Sequence, residues 1–229
     1  MDLATLRDRV RLTLDTDTED LPNELLDLYL AEGFQRIVDS DERWPWLEKV
    51  WEYQWPANTA SVDLAEIGTD IESIASVQVS GDRVLYAQGH DAMERYWATD
   101  SFASGTPEQW SAYGSKLYLW PTPTTATSLV VRGQRTPVPF AAPGDATGSE
   151  PDCPEPFHRL VMLWALHSAY ERDEDTEMSA YYRSHFEDGV AQRRKALRSA
   201  PPAAPLVMGG GLRTRGRGVS RGPRFPFEF

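Results

Sequence analysis

Residues 108–121 read EQWSAYGSKLYLWP. The pair Gly114-Ser115 divides two runs rich in aromatic and aliphatic side chains, and it suits a two-residue hairpin turn whose first member adopts φ > 0. Leu117 and Leu119 alternate with Tyr118 and Trp120, which is the period of a strand. The stretch therefore predicts a β-hairpin. Its next partner is expected to be TSLVVRGQRT at 127–136, reached through PTPTTA at 121–126. Upstream, Ile71 to Val79 is rich in β-branched residues, SGD at 80–82 supplies a turn, and Arg83 to Tyr86 is expected to return as a second strand. GHDAMERYWA at 89–98 predicts a short helix. In WPWLEKVWEYQW at 44–55, Trp44, Trp46, Trp51 and Trp55 abandon helical spacing for strand-like alternation. Residues 44–136 thus read as a small antiparallel β-rich unit.

Helical patterns flank that unit on both sides. In residues 1–43, Asp2 is placed to cap a helix carrying Leu3, Leu6, Val10 and Leu14, and Pro22 to open a second with Leu25, Leu26, Tyr29, Phe34, Ile37 and Val38 on one stripe. Residues 137–156 form a Pro-rich connection. From 157 to 200 the helical period returns. Phe157, Leu160, Val161, Leu163, Trp164, Leu166 and Tyr170 cannot share one face, so that helix is expected to be buried all round, inside a bundle or between subunits. Asp175 is placed to cap the last helix, where Met178, Tyr182, His185, Phe186, Gly189, Arg193 and Leu197 trace a seam. Phe157, Leu160, Trp164, Tyr182 and Phe186 are the candidates for a bundle or subunit interface. The predicted fold class is α+β: an antiparallel helical bundle, an inserted small antiparallel β-domain, and an extended C-terminal arm over 201–229.

Charge separates along the chain. Residues 1–200 carry 34 acidic and 18 basic side chains, a net charge of −16, whereas residues 201–229 carry five arginines and one glutamate, a net charge of +4. The body repels polyanions and the tail attracts them. No run approaches the roughly 20 apolar residues of a membrane span, and the first fifteen residues mix charges with leucines where a signal peptide would be apolar. Synthesis in a cytoplasm and no membrane partner are expected. Cys153 is the only cysteine, so burial rather than a disulfide framework must hold the fold.

Catalytic chemistry is not signalled. His90, His158, His167 and His185 form no HExxH pair, and His158 and His167, nine residues apart, sit on opposite faces of one helix. Packing histidines are the better reading. The acidic run ERDEDTEMS at 171–179 lacks the glycine and the ligand spacing of a calcium loop. GGG at 209–211 is followed by neither a lysine-serine pair nor a helix, which argues against a phosphate loop. No enzyme, cofactor or metal is expected. Two alternatives stay open: a virion-associated cell-wall hydrolase, since any pair among 35 acidic residues could supply its carboxylates, and a glycan-binding tail module using tryptophan platforms.

Three stretches taken in order carry a family likeness: RWPWLE at 43–48, SGTPEQWSAYGSKLYLWPTPTTATSLVVRGQRTP at 104–137, and PEPFHRLVMLWALHSAYERDEDTEMSAYYRSHFEDGVAQRRKAL at 154–197. The chain resembles the head-to-tail adaptor (connector, or head-completion) proteins of tailed bacteriophages, including the tail tubular protein A group. That resemblance implies a structural virion protein at the head–tail interface. It implies a homo-oligomeric ring, usually a dodecamer, between the portal protein and a tail or nozzle protein, with double-stranded DNA passing through without sequence-specific binding. It also implies helices around the channel, a β-rich insertion on the tail side, and a C-terminal segment reaching into the portal.

The C-terminal stretch GGGLRTRGRGVSRGPRFPFEF at 209–229 aligns with no pattern of that family, so its role is read from chemistry. Arg213, Arg215, Arg217, Arg221 and Arg224 alternate with glycine and proline, and such a composition cannot bury enough of itself to fold alone. In an extended chain Phe225, Phe227 and Phe229 at period two fall on one side. Burying three phenylalanines would yield about 5–9 kcal/mol gross, against the entropy of ordering the segment. These eight residues are expected to dock on portal or a neighbouring subunit. Docking on DNA is the competing reading, because arginine-glycine segments bind phosphates and bases.

Overall fold

The computed structural model describes residues 1–81, 83–99, 104–141 and 149–199. Helix α1 (Leu3–Leu14) starts where Asp2 accepts the Thr5 N–H at 2.9 Å, and it buries Leu3, Leu6 and Val10. Asp15 ends it in the left-handed region at φ 54°, with its N–H returned to the Arg11 carbonyl. Helix α2 (Asn23–Asp39) begins directly after Pro22 and buries Leu26, Leu30, Phe34, Ile37 and Val38 along one stripe. The Arg7 guanidinium grips Asp27 through two bonds of 2.7 and 2.5 Å and ties the two helices together.

A 3-10 turn (Pro45–Leu47) leads into β1 (Glu48–Trp55), β2 (Ser61–Asp63), the one-turn helix α3 (Leu64–Ile67), β3 (Ile71–Val79), β4 (Tyr86–Ala87) and α4 (His90–Thr99). Then follow β5 (Ser104–Gly105), β6 (Gln109–Tyr113), β7 (Lys116–Trp120), β8 (Thr122–Pro123) and β9 (Thr127–Arg135), before α5 (Glu155–Arg172) and α6 (Thr176–Ser199). The fold is mixed α+β. Among the described residues the strands form a three-stranded sheet β1-β9-β3, a four-stranded sheet β2-β7-β6-β4, and a two-stranded pair β5-β8.

The hairpin at 108–121 is present, and both turn residues have positive φ, 57° at Gly114 and 64° at Ser115. Type I′ geometry requires this of both positions, because only then does the turn match the twist of its strands. Strand β9, however, does not pair with β7. It lies antiparallel between β1 and β3, where Trp51 faces Val131 and Trp55 faces Thr127. Nine residues long, β9 finds ladder partners of eight and nine residues there, while the free edge of the five-residue β7 is taken by β2, with Val62 opposite Leu117. Arg83 to Leu85 returns antiparallel beside the end of β3, with the Val79 N–H donating to the Arg83 carbonyl at 3.2 Å and the Leu85 N–H to the Val77 carbonyl at 2.8 Å, but the pairing is too short to make the expected second strand. Only Val84 bridges to Gln78, Leu85 turns into the core, and Tyr86–Ala87 pair parallel with Gln109–Trp110 of β6.

Asp175 caps α6 by accepting the Met178 N–H at 3.1 Å. The buried face of α6 keeps the expected seam at Met178, Tyr182, Phe186, Gly189 and Leu197 and departs from it at two positions. Ser179, Phe186 and Val190 are buried, with Tyr182 and Leu197 packed at the margin, while His185 and Arg193 face solvent. Phe186 anchors this face by meeting the Trp164 ring edge-on at 5.0 Å.

Two hydrophobic cores result. One gathers α1, α2, α5 and α6, and it takes in Trp44 and Leu47 from the segment after α2 and Phe140 and Ala141 from the segment after β9. The other is built by Trp51, Trp55, Val77, Trp110, Leu117, Leu129, Val131 and their neighbours in the β-rich part. Helix α5 is buried on almost every side, because α1, α2 and α6 all pack on it.

Candidate interaction surfaces

The helical and β-rich parts are joined through Trp44, whose ring is only 2% exposed. Its Nε1–H donates to the carbonyls of Ile37 at 3.1 Å and Val38 at 2.9 Å, in the last turn of α2, where carbonyls lack an i+4 partner within the helix. The ring stacks on Trp46 at 4.2 Å and meets Phe157 edge-on at 5.5 Å. Its backbone N–H donates to Oε1 of Gln134 on β9 at 3.1 Å. That bond orients the amide, and no acceptor reaches the Gln134 Nε2, although the residue is 6% exposed.

The next residue of β9 makes the second tie. The Arg135 guanidinium forks onto Asp152, just before α5, at 2.5 and 2.7 Å, and the same carboxylate accepts the Val138 N–H at 2.8 Å. Burial pushes the Asp152 carboxyl up, but the Arg135 guanidinium and the Val138 N–H outweigh it and hold the group below its ordinary value. A depressed folded pKa contributes stability that is fully present above the unfolded value, near 4, and is lost as the pH falls through the folded value. Asp152→Asn should therefore cost about 1 kcal/mol at pH 7 after allowance for solvent screening. In urea midpoints measured from pH 7 to pH 2, the gap from the parent chain should close below about pH 4. A gap constant with pH would show that the pair does not carry the effect.

The structure places Phe157, Leu160, Trp164 and Phe186 in the chain's own helical core, all under 9% exposed, with Tyr182 half-buried and stacked on Tyr170 at 5.4 Å. Within the chain they hold helix to helix. The residues expected to dock, Arg213, Arg215, Arg217, Arg221, Arg224, Phe225, Phe227 and Phe229, lie outside the described residues.

Two concavities open on the helical side. The larger, about 960 Å³, has a floor of Leu28, Ala31, Phe34 and Phe140 and a rim that includes Glu24 and Glu32. The smaller, about 370 Å³, sits where α2 ends against β3 and β9. Asp39, Asp41, Glu42 and Glu72 line it together with Val38, Trp44 and Leu47, and Gln134 closes it. Among the described residues its lining contains four carboxylates and no basic side chain. This pocket was missed in reading the sequence. The signal was DSDE at 39–42, a run of acids at a helix C-terminus, where the macrodipole favours cations.

The remaining titratable candidates are occupied in packing. The Met1 ammonium donates to Nδ1 of His158 at 2.6 Å, which leaves Nε2–H of that ring to donate to the Cys153 carbonyl at 3.0 Å. Nδ1 of His167 lies 2.9 Å from the Ser179 hydroxyl. His90 stacks on Tyr113, and His185 tilts against Tyr181 on the exterior. Burial pushes the Cys153 thiol up to about 12, so almost none of it is thiolate at neutral pH. Among the described residues no three His, Cys, Asp or Glu side chains converge as metal ligands, and no helix is long and apolar enough to cross a membrane.

What these residues present is surface: acidic and apolar concavities on two cores stitched through Trp44 and Arg135. Such exposed apolar surface rimmed by charge suits contact with another macromolecule. Residues 1–208 match the family model described as SU10 adaptor protein, and the chain belongs to that family. It is a bacteriophage structural adaptor. No curated protein matches the chain. The matched span stops at Met208, so every arginine and phenylalanine of the basic tail lies beyond it.

Proposed function

We propose that the chain is a ring-forming connector that joins the portal of a phage head to the tail and continues the DNA channel. The observation that carries this reading is the adaptor-family match over residues 1–208, which takes in both hydrophobic cores. In the proposed virion, residues 1–43 and 157–200 form an antiparallel bundle around the channel, residues 44–136 face a tail or nozzle protein, and residues 137–156 link the two. Twelve copies would close the ring. A net charge of −16 on residues 1–200 disfavours adhesion of duplex phosphate, which suits passage without sequence-specific binding.

The tail, residues 201–229, acts in this reading as an arm that pins the ring to portal through its arginines and its three alternating phenylalanines. Electron micrographs of the purified chain, alone and with purified portal, test the whole. Rings are expected with portal present, and a chain that stays monomeric and ignores portal would sink the connector. Deleting residues 210–229 should reduce portal retention at least about tenfold, the equivalent of about 1.4 kcal/mol. Undiminished retention would remove the arm and leave the ring.

A further inference from the structure

We infer that the acidic pocket at the end of α2 is the receptor for the chain's own last residues, Arg221–Phe229, folded back from α6. The proposal shares with the preceding reading the premise that the tail is a docking segment, and it names the surface that holds the tail before portal is met.

Four observations converge on this occupant. The first is charge: Asp39, Asp41, Glu42 and Glu72 share one pocket, whereas Arg221 and Arg224 stand in a basic stretch, residues 201–229, that carries five arginines against one glutamate. Three of those carboxylates follow one another at a helix C-terminus, where the backbone carbonyls are already negative. A guanidinium bound there would relieve both repulsions. Arg43, which follows Glu42 in the chain, is engaged with Glu48, and Arg194 with the Ser40 carbonyl.

The second is the unpartnered donor. Gln134 gives its Oε1 to the Trp44 N–H, so its buried Nε2–H₂ needs an acceptor, and an extended peptide supplies backbone carbonyls at every residue. A bare metal cation would meet that donor unfavourably, and the carboxylates do not converge as metal ligands. The third is the apolar wall: Val38, Trp44 and Leu47 stand beside the carboxylates, so an arginine followed directly by a phenylalanine, as in Arg224-Phe225, matches the two halves of the pocket.

The fourth is where the tail departs. Arg194, in the last turns of α6, donates to the Ser40 carbonyl at 3.0 Å, so the helix that leads into the tail ends beside the pocket. The 22 residues from Ser199 to Arg221 can span at most about 70 Å, ample for return to the same pocket. Attachment raises the local concentration of the segment to about millimolar, so modest affinity suffices for occupancy within one chain. Contact with portal would then have to compete the segment out, which couples release of the arm to arrival of its partner.

The test uses a labelled peptide of sequence RGPRFPFEF and fluorescence anisotropy. The receptor is the full chain with its own tail silenced by Arg224→Ala, Phe225→Ala, Phe227→Ala and Phe229→Ala. Saturable binding is expected, weakened at least about tenfold by adding Glu42→Lys and Glu72→Lys and unchanged by Glu24→Lys with Glu32→Lys on the larger groove. The parent chain, its pocket already occupied, should bind the peptide at least about tenfold more weakly than the silenced chain. Absence of binding up to about 1 mM, loss only with the Glu24 and Glu32 changes, or equal binding by parent and silenced chains would each overturn the proposal. Portal retention of the silenced chain is read separately. Lost retention without peptide binding would leave the connector arm standing and the pocket refuted, and the reverse pattern would do the opposite.

Discussion

A chain carrying Trp44→Ala is expected to unfold at lower urea, with a loss of about 3–5 kcal/mol. The residue is 2% exposed, and its ring touches Trp46 at 4.2 Å and the last turn of α2 through its Nε1–H, both close in the chain, and Phe157 on the distant α5 at 5.5 Å. Removing it leaves a cavity between the helical core and the β-rich part that neither can close without moving the other. The freed carbonyls are not fully orphaned, since Ile37 still accepts from the Ser40 N–H and hydroxyl and Val38 from the Asp41 N–H. Most of the cost is therefore lost packing. Trp44→Phe separates the two contributions, because it keeps much of the ring and loses the donor, and should cost about 1–2 kcal/mol. Equal losses in the two variants, measured by equilibrium urea unfolding, would mean that the hydrogen bonds and not the cavity dominate.

Gly133→Ala is expected to cost about 3 kcal/mol or more and to lower the melting temperature by about 6–12 °C. Gly133 lies in the middle of β9, paired with Lys49 on one side and Ile74 on the other. Register shifts in β3 on either side of Ser73–Ile74 push the Ser73 carbonyl over it, so that a Cβ would stand 1.9 Å from that oxygen and 2.9 Å from its carbon. Backbone held in a three-stranded sheet cannot rotate away. At Gly189 the obstacle is different, the tip of the Leu160 side chain at 2.4 Å, which can change rotamer. Gly189→Ala should thus cost less than about 1.5 kcal/mol, and calorimetry of both variants checks the contrast. If alanine were as cheap at 133 as at 189, the bulged backbone could not be as close as described.

What the sequence by itself determined were features decided within a few residues. Asp2 and Asp175 cap their helices because a carboxylate reaches an N–H three residues on, and Gly114-Ser115 turns the hairpin because two positive φ values close it locally. The all-round burial of α5 was legible too, since no helix places Phe157, Val161, Leu163 and Leu166 on one face. The order of motifs at 43–48, 104–137 and 154–197 pointed to the adaptor family that the match over 1–208 establishes. Only the tertiary structure decided which strands meet. β9 joined β1 and β3 because ladder length and the matching of Trp51, Val77 and Val131 reward that pairing over the nearer β7. On α6 the seam kept Phe186, which meets Trp164 across 22 residues, but the structure buried Ser179 and Val190 and left His185 and Arg193 exposed, a choice that periodicity on α6 alone does not contain. The acidic pocket brings 39–42, 72 and 134 together, so its charge density existed nowhere in the linear chain. Local chemistry acts through covalent neighbours and survives reading one residue at a time, whereas a surface is made by packing, and packing is a property of the whole chain at once.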